Sequence, residues 1–260
     1  MNRAILTTTI LFLLLAGCSS TIGVRQDTAD GQYEKAMDLY NRGKYYHASE
    51  ALRLLIFNYT GVSYIDSVQY YLGMCYFNDR DYILAVAEFR RLVRSFPNSP
   101  LADDGQLMIG KSYFLSAPRN EGLDQSDTYT AINEIENFIE DFPLSPLQDE
   151  AVDLLDQCRA RIAKKTFRTG EQYYKVGNYE SARIYLEQVV TEFEAPEWRG
   201  CALYLLAAID EKQKQYEDSA SKLGNLIEAF PGHKWEKKAK SKLKDVQSVM
   251  GDTSVVSDST

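Results

Sequence analysis

Two near-copies of one hexapeptide, SFPNSP at 95–100 and DFPLSP at 141–146, narrow what this chain can fold into. AFPGHK at 229–234 is a third version and EFEAPE at 192–197 a degenerate fourth. A second motif recurs between them: GKYYHA at 43–48, RDYILA at 80–85 and GNYESA at 177–182. Punctuation at two regular marks, one of them carrying a proline that cannot continue a helix, describes an array of helix pairs. The stretches between the marks hold few Gly or Pro and no alternation of Val, Ile and Thr, so their periodicity is helical.

The pairs are about 34 residues long, as residues 66–99 show best. Leu72, Gly73 and Tyr76 lie on the first helix, Ala85 and Phe89 on the second, and Pro97 starts the turn onward. Gly73 and Ala85 are small where the two helices cross, and Tyr76 and Phe89 fill the space beside them. Residue type and spacing match the tetratricopeptide repeat (TPR). The template places Ala36 and Ala48 in repeat 1. It places Gly110, Tyr113, Ala131 and Pro143 in repeat 3, with SAPRNEGLDQ inserted between the helices. Gly170, Tyr173 and Ala182 fall in repeat 4, and Ala207, Ser219 and Pro231 in repeat 5. The segment LQDEAVDLLDQCRARIAKK predicts a lengthened first helix of repeat 4, from near Gln148 to about Val176, joining repeats 1–3 to repeats 4–5. A stripe of Trp235, Ala239, Leu243, Val246 and Met250 predicts a helix that caps the open end. The expected fold is all-α: a TPR solenoid of about five helix-turn-helix repeats with a C-terminal capping helix. Residues 31–146 hold repeats 1–3, and 147–250 the long helix, repeats 4–5 and the cap. Residues 251–260 are expected to be a disordered tail.

The N-terminus has a different character. Arg3 precedes an apolar run from Ala4 to Leu15, interrupted by three threonines and shorter than the roughly 20 residues that span a bilayer. It reads as a secretory signal peptide. The run ends Leu15-Ala16-Gly17-Cys18, which resembles the bacterial lipobox, where the cysteine thiolate forms a thioether to a diacylglyceryl group. Residues 1–17 are then a lipoprotein signal peptide and 18–30 a lipidated polar tether with a reach of roughly 20 Å. Two or more acyl chains hold a protein stably on its membrane. Ser19 after the cysteine favours the outer membrane, by analogy with enteric bacteria.

The net charge of −8 makes general nucleic-acid binding a poor fit. Cys75, Cys158 and Cys201 lie in helical stretches and read as buried small hydrophobes, with a Cys158–Cys201 bridge left open. The two histidines, His47 and His233, fall in different repeats, and His47 is expected to be exposed in the turn before a helix. No HExxH, CxxC, P-loop or GxGxxG occurs. The chain is therefore expected to be neither an enzyme nor a holder of cofactor or metal.

Two surfaces stand out instead. Tyr33, Met37, Tyr40 and Asn41 repeat in kind as Tyr70, Met74, Phe77 and Asn78, at positions facing the groove of a TPR array. They suit an extended peptide: Met adapts to apolar side chains, aromatic faces hold an aromatic residue, and Asn amides bond backbone. Lys111, at the equivalent of Met74 in repeat 3, is placed to receive a terminal carboxylate. Near the C-terminus, Lys234, Lys237, Lys238, Lys240, Lys242 and Lys244 stand against Glu236 and Asp245. They suggest a docking patch for an acidic partner or anionic lipid.

The lipobox, the short tether and five TPR-like pairs together resemble the BamD family of β-barrel assembly lipoproteins. The resemblance rests on NYTGVSYIDSVQYYLGMCYFNDRDYILAVAEFRRLVRSFPNSP, the repeat-3 insertion and the long helix leading to GEQYYKVGNYESA. It implies a non-enzymatic scaffold on the periplasmic side of the outer membrane. Its N-terminal repeats would recognise targeting signals of unfolded outer-membrane proteins. Its C-terminal repeats would dock on the periplasmic repeats of the barrel subunit, alongside further lipoproteins of the complex. The short tether and basic end helix depart from that pattern. Another periplasmic TPR lipoprotein, a pilotin or an envelope or cell-division factor, is the alternative.

Overall fold

The computed structural model describes residues 28–257, with side chains to Gly251. The signal peptide, Cys18 and most of the tether lie outside the described residues. Those described form eleven helices and no strand, as the helical periodicity predicts. They belong to two compact units, one ending at Asp81 and the other starting at Tyr82.

The first unit holds α1 (Ala29–Asn41), α2 (Tyr45–Asn58) and α3 (Ile65–Asn78). Thr28 caps α1 by accepting the Gly31 N–H at 3.2 Å, and Asp30 complements the helix dipole in the first turn. Ala36 and Ala48 are fully buried in one core with Leu52, Leu55, Val68, Leu72 and Cys75. A ring of half-buried tyrosines, among them Tyr33, Tyr40, Tyr45, Tyr64 and Tyr71, surrounds that core.

The second unit runs through α4 (Tyr82–Ser95), α5 (Ala102–Ser116), α6 (Ser126–Asp141), α7 (Gln148–Lys175), α8 (Tyr179–Glu192), α9 (Pro196–Lys212), α10 (Tyr216–Ala229) and α11 (Glu236–Ser257). Gly110 is glycine because nothing larger fits: a Cβ there would sit 2.6 Å from Cγ1 of the buried Ile135. In repeat 5, Ser219 takes the small position and its buried hydroxyl donates to the Ala207 carbonyl at 2.9 Å. The 28-residue α7 serves two cores. Ala151, Leu154, Leu155 and Cys158 pack with Leu107, Ala131, Ile135 and Phe138. Phe167 packs with Ala182, Leu186, Leu205 and Ile209. The residues on both sides of the 146/147 boundary drawn from the sequence thus lie in one unit. At the end, Ala239, Val246, Leu243 and Met250 of α11 close the core of Leu203, Ala207, Leu223 and Leu226. Helix α11 continues to Ser257, past Gly251, where a tail was expected to begin.

The recurring turn has one geometry. Gly43, Arg80, Gly177 and Lys214 all adopt positive φ, at 71°, 68°, 80° and 63°. Each ends a helix with the paired bonds of a Schellman motif, as in Lys214 N–H to Glu211 O at 3.0 Å and Gln215 N–H to Asp210 O at 2.8 Å. Two of the four sites use a long cationic side chain where glycine is the residue without strain.

Candidate protein-binding surface

In the first unit, the two tetrads lie on α1 and α3. Tyr33 stacks obliquely on Tyr64, ring centroids 5.1 Å apart. The Tyr64 hydroxyl donates to Asp30 at 2.5 Å, and burial followed by that bond pushes its pKa up to about 12. Tyr40 meets Tyr45 and Tyr71 edge-on at 5.5 and 5.3 Å. Asn78 Nδ2 donates to the Tyr40 hydroxyl at 3.1 Å, so a residue of one tetrad binds a residue of the other. Met37, Tyr70, Met74 and Phe77 are half-buried and Asn41 is exposed. The Tyr70 ring meets its neighbour Tyr71 at 5.6 Å. Tyr40 and Asn78 thus take part in packing between α1 and α3, which leaves Asn41 as the more available amide.

Lys111 belongs to the second unit, where it is ion-paired with Glu150 at the start of α7. The insertion of repeat 3 is strapped down on α7. Buried Gln125 donates to the Pro118 and Asn120 carbonyls at 2.9 and 3.2 Å and accepts from Thr128 at 2.7 Å. Lys165 donates to the Leu123 carbonyl at 2.7 Å, and Lys164 pairs with Glu121 at 3.0 Å. The Arg161 guanidinium lies 3.8 Å over the Phe114 ring and donates to the Phe114 carbonyl. An open cleft of about 450 Å³ remains beside the loop, lined by Glu121, Lys165, Arg168, Gln172 and Tyr173.

The six lysines near the C-terminus divide. Lys234 pairs with Glu197 at 2.6 Å and lies 4.8 Å over the Trp198 ring; the bond to Glu197 holds its pKa up. Lys242 turns inward to Glu211. Lys240 pairs with Glu236 one turn back. Lys238 sits 6.0 Å over the Trp235 ring. Among the described residues no ion pair holds Lys237, Lys238 or Lys244.

Three polar arrangements carried no local signal in the sequence. Asp210, its side chain 1% exposed, has Arg183 Nη2 on one oxygen and Lys222 Nζ on the other, each at 2.7 Å. Gln125 is the second. The third is His233, whose ring fills the space over Gly200 and accepts the Trp235 N–H at Nδ1 (3.1 Å). Its Nε2 therefore carries the proton, faces the Glu197 carbonyl at 2.8 Å, and stands 3.9 Å from Cys201 Sγ. This is no nucleophile pair, because burial holds the Cys201 thiol protonated, its pKa pushed up to about 11. Cys75 and Cys158 are buried likewise, pushed up to about 12, and all three cysteines are free, so no Cys158–Cys201 bridge forms. His47 is exposed, within the first turn of α2. Among the described residues, no group of three or more His, Cys, Asp or Glu could hold a metal ion, and no helix is long and apolar enough to cross a membrane.

Paired helices with small crossing residues and a capped end define a TPR protein. The fold is similar to that of a TPR-repeat protein of Bacteroides fragilis, at 14% identity and a TM-score of 0.51, over 85% of this chain and 99% of that one. The TPR2AB domain of yeast Sti1 in its pHSP90 complex gives 13% identity and a TM-score of 0.44, over 87% and 86% of the two chains. A tetratricopeptide repeat profile matches residues 202–233. No curated protein matches the chain. The profile of the YfiO family, described as outer membrane lipoprotein, matches residues 25–213, and the chain belongs to that family.

Proposed function

We propose that this chain is a non-enzymatic scaffold of β-barrel assembly, anchored through Cys18 on the periplasmic face of the outer membrane. It binds targeting segments of unfolded outer-membrane proteins and docks on the barrel subunit's periplasmic repeats through repeats 4–5. The observation that carries this reading is the family match, which covers the whole first unit as described and most of the second. The half-buried aromatic and Met side chains on α1 and α3, with the exposed Asn41, support a peptide surface in the first unit. Lys111 is the proposed carboxylate receptor, exchanging Glu150 for its ligand.

A pull-down from solubilised membranes tests the scaffold role. The tagged chain should bring down a large β-barrel protein with periplasmic repeats, and its absence from the eluate would overturn the reading. A peptide ending in an aromatic residue should crosslink to repeats 1–3, and Tyr70→Ala with Phe77→Ala should weaken it in a folded protein. Crosslinks confined to repeats 4–5 would remove the peptide surface from the first unit. Cys18→Ser should abolish fatty-acid labelling, and labelling that persists would overturn the anchor.

A further inference from the structure

Helix α11 turns one face to the core and the opposite face to water. Ala239, Leu243, Val246 and Met250 are committed to the core. At 100° per residue, the opposite face carries Lys237, Ser241, Lys244, Asp245 and Ser248, with Lys238 and Lys240 on its flanks. All seven are exposed, and Asp245 is the one carboxylate among four lysines. Lys237 and Lys244 lie two turns apart on one line, with small serines beside them. Lys240 flanks that line, held only by an exposed one-turn pair with Glu236, the kind of pair that contributes little and is readily exchanged. This is the outer side of the last helix, in a chain whose net charge is −8.

The composition of the face says what it fits. Protein interfaces are built on aromatic and Arg anchors and are depleted in Lys. This face has no aromatic residue and no arginine. Lysine is a compact point charge on a flexible stem, suited to scattered phosphates rather than to one bidentate partner. A single convex helix with small residues between its charges can lie along a plane. Its apolar side is already buried, so it cannot insert as an amphipathic helix does. Membership of an outer-membrane lipoprotein family puts anionic phospholipid in the surroundings of the chain.

We propose that the Lys237–Lys240–Lys244 face of α11 is a peripheral site for anionic phospholipid head groups, holding the C-terminal end of the chain against a membrane by charge alone. The site rests on the membrane association in the proposed function but does not use the acyl anchor. Each lysine near an anionic surface is worth roughly a fivefold change in partitioning, and three together about a hundredfold.

The test removes the anchor. The chain from residue 18 onward, which contains all eleven helices, carries Cys18→Ser and is sedimented with vesicles. One set is phosphatidylethanolamine with a minority of phosphatidylglycerol, and the other is phosphatidylcholine. The expected result is binding to the phosphatidylglycerol vesicles alone, lost at high salt. Lys237→Gln/Lys240→Gln/Lys244→Gln should lower the partition coefficient by about a hundredfold. Lys35→Gln/Lys44→Gln/Lys175→Gln, an equal change of net charge elsewhere, should leave it within about twofold of the parent. No preference for phosphatidylglycerol vesicles would overturn the proposal, as would equal losses in the two triple variants. Neither outcome depends on whether Cys18 is acylated, which fatty-acid labelling of the full chain reads separately.

Discussion

Lys214 closes α9 at φ 63°, and its replacement isolates the cost of that backbone. The left-handed conformation costs a residue with a Cβ about 1–2 kcal/mol relative to glycine. Glycine gives back about 0.4–1 kcal/mol through the greater freedom of its unfolded chain. Lys214→Gly should therefore stabilise the second unit by about 0.5–1 kcal/mol, a rise in Tm of roughly 2–3 °C for a unit of this size. The lysine side chain is exposed, so Lys214→Ala keeps the strain, loses nothing packed, and should leave stability unchanged. Gly177 supplies the converse. A Cβ there would meet nothing within 4 Å, so Gly177→Ala adds backbone strain and no clash, and should cost about 0.5–1 kcal/mol. Denaturant unfolding followed by tryptophan fluorescence is the assay, because Trp198 and Trp235 both pack on the second unit's core at α7. If Lys214→Gly is no more stable than Lys214→Ala, the strain argument is wrong.

Other outcomes follow from the buried polar groups. Removing both cations around Asp210, as Arg183→Met/Lys222→Met, strands a carboxylate that is 1% exposed and should cost about 3–5 kcal/mol. Asp210→Ala should cost less, about 2 kcal/mol, because both cations are 26% exposed and can rehydrate; equal costs in denaturant unfolding would contradict this. Gln125→Ala should open the insertion and make the exposed Arg119 a trypsin site while Tm stays within about 2 °C, and a loop that resists trypsin would mean that Gln125 does not hold it. At pH 8, a thiol pushed up to about 12 is ionised in roughly one molecule in ten thousand. Cys75 and Cys158 should therefore stay inert to a disulfide reagent until denaturant is added, and fast labelling of the native chain would contradict their burial.

What the sequence revealed was whatever repeats locally. Ala36, Ala48 and Gly170 stand at fixed offsets from the turn motifs, so the crossing points of the helices could be read from spacing alone. The apolar stripe from Trp235 to Met250 likewise foretold which side of α11 is buried. Partners distant in sequence were not legible. Nothing near Lys242 announces Glu211, 31 residues back, nor does Asp210 signal that Arg183 and Lys222 will converge on it. The tetrad of Tyr40 and Asn41 looked like a uniform binding register because identity repeats there. Pairwise packing broke the symmetry, tying Asn78 to Tyr40 while Asn41 stayed outside. The turn at Lys214 carried no such mark, unlike RDYILA at Arg80: the usual sign of a left-handed residue is glycine, and both positions do without it.

Helix α7 also bears on how such a chain can change its length over evolutionary time. Arrays of self-contained repeats grow or shrink by copying or deleting one unit. Here the third and fourth repeats share one continuous 28-residue rod. Excising α5 and α6 would strip Ala151, Leu154, Leu155 and Cys158 of Leu107, Ala131, Ile135 and Phe138, and expose an apolar stripe on the first half of α7. Excising α8 and α9 would do the same to Phe167 and the packed face around Gly170 on the second half. Neither repeat can be lost or duplicated singly without exposing a core. The copy number on either side of α7 is therefore locked, and variation is confined to its ends and to the insertion between α5 and α6.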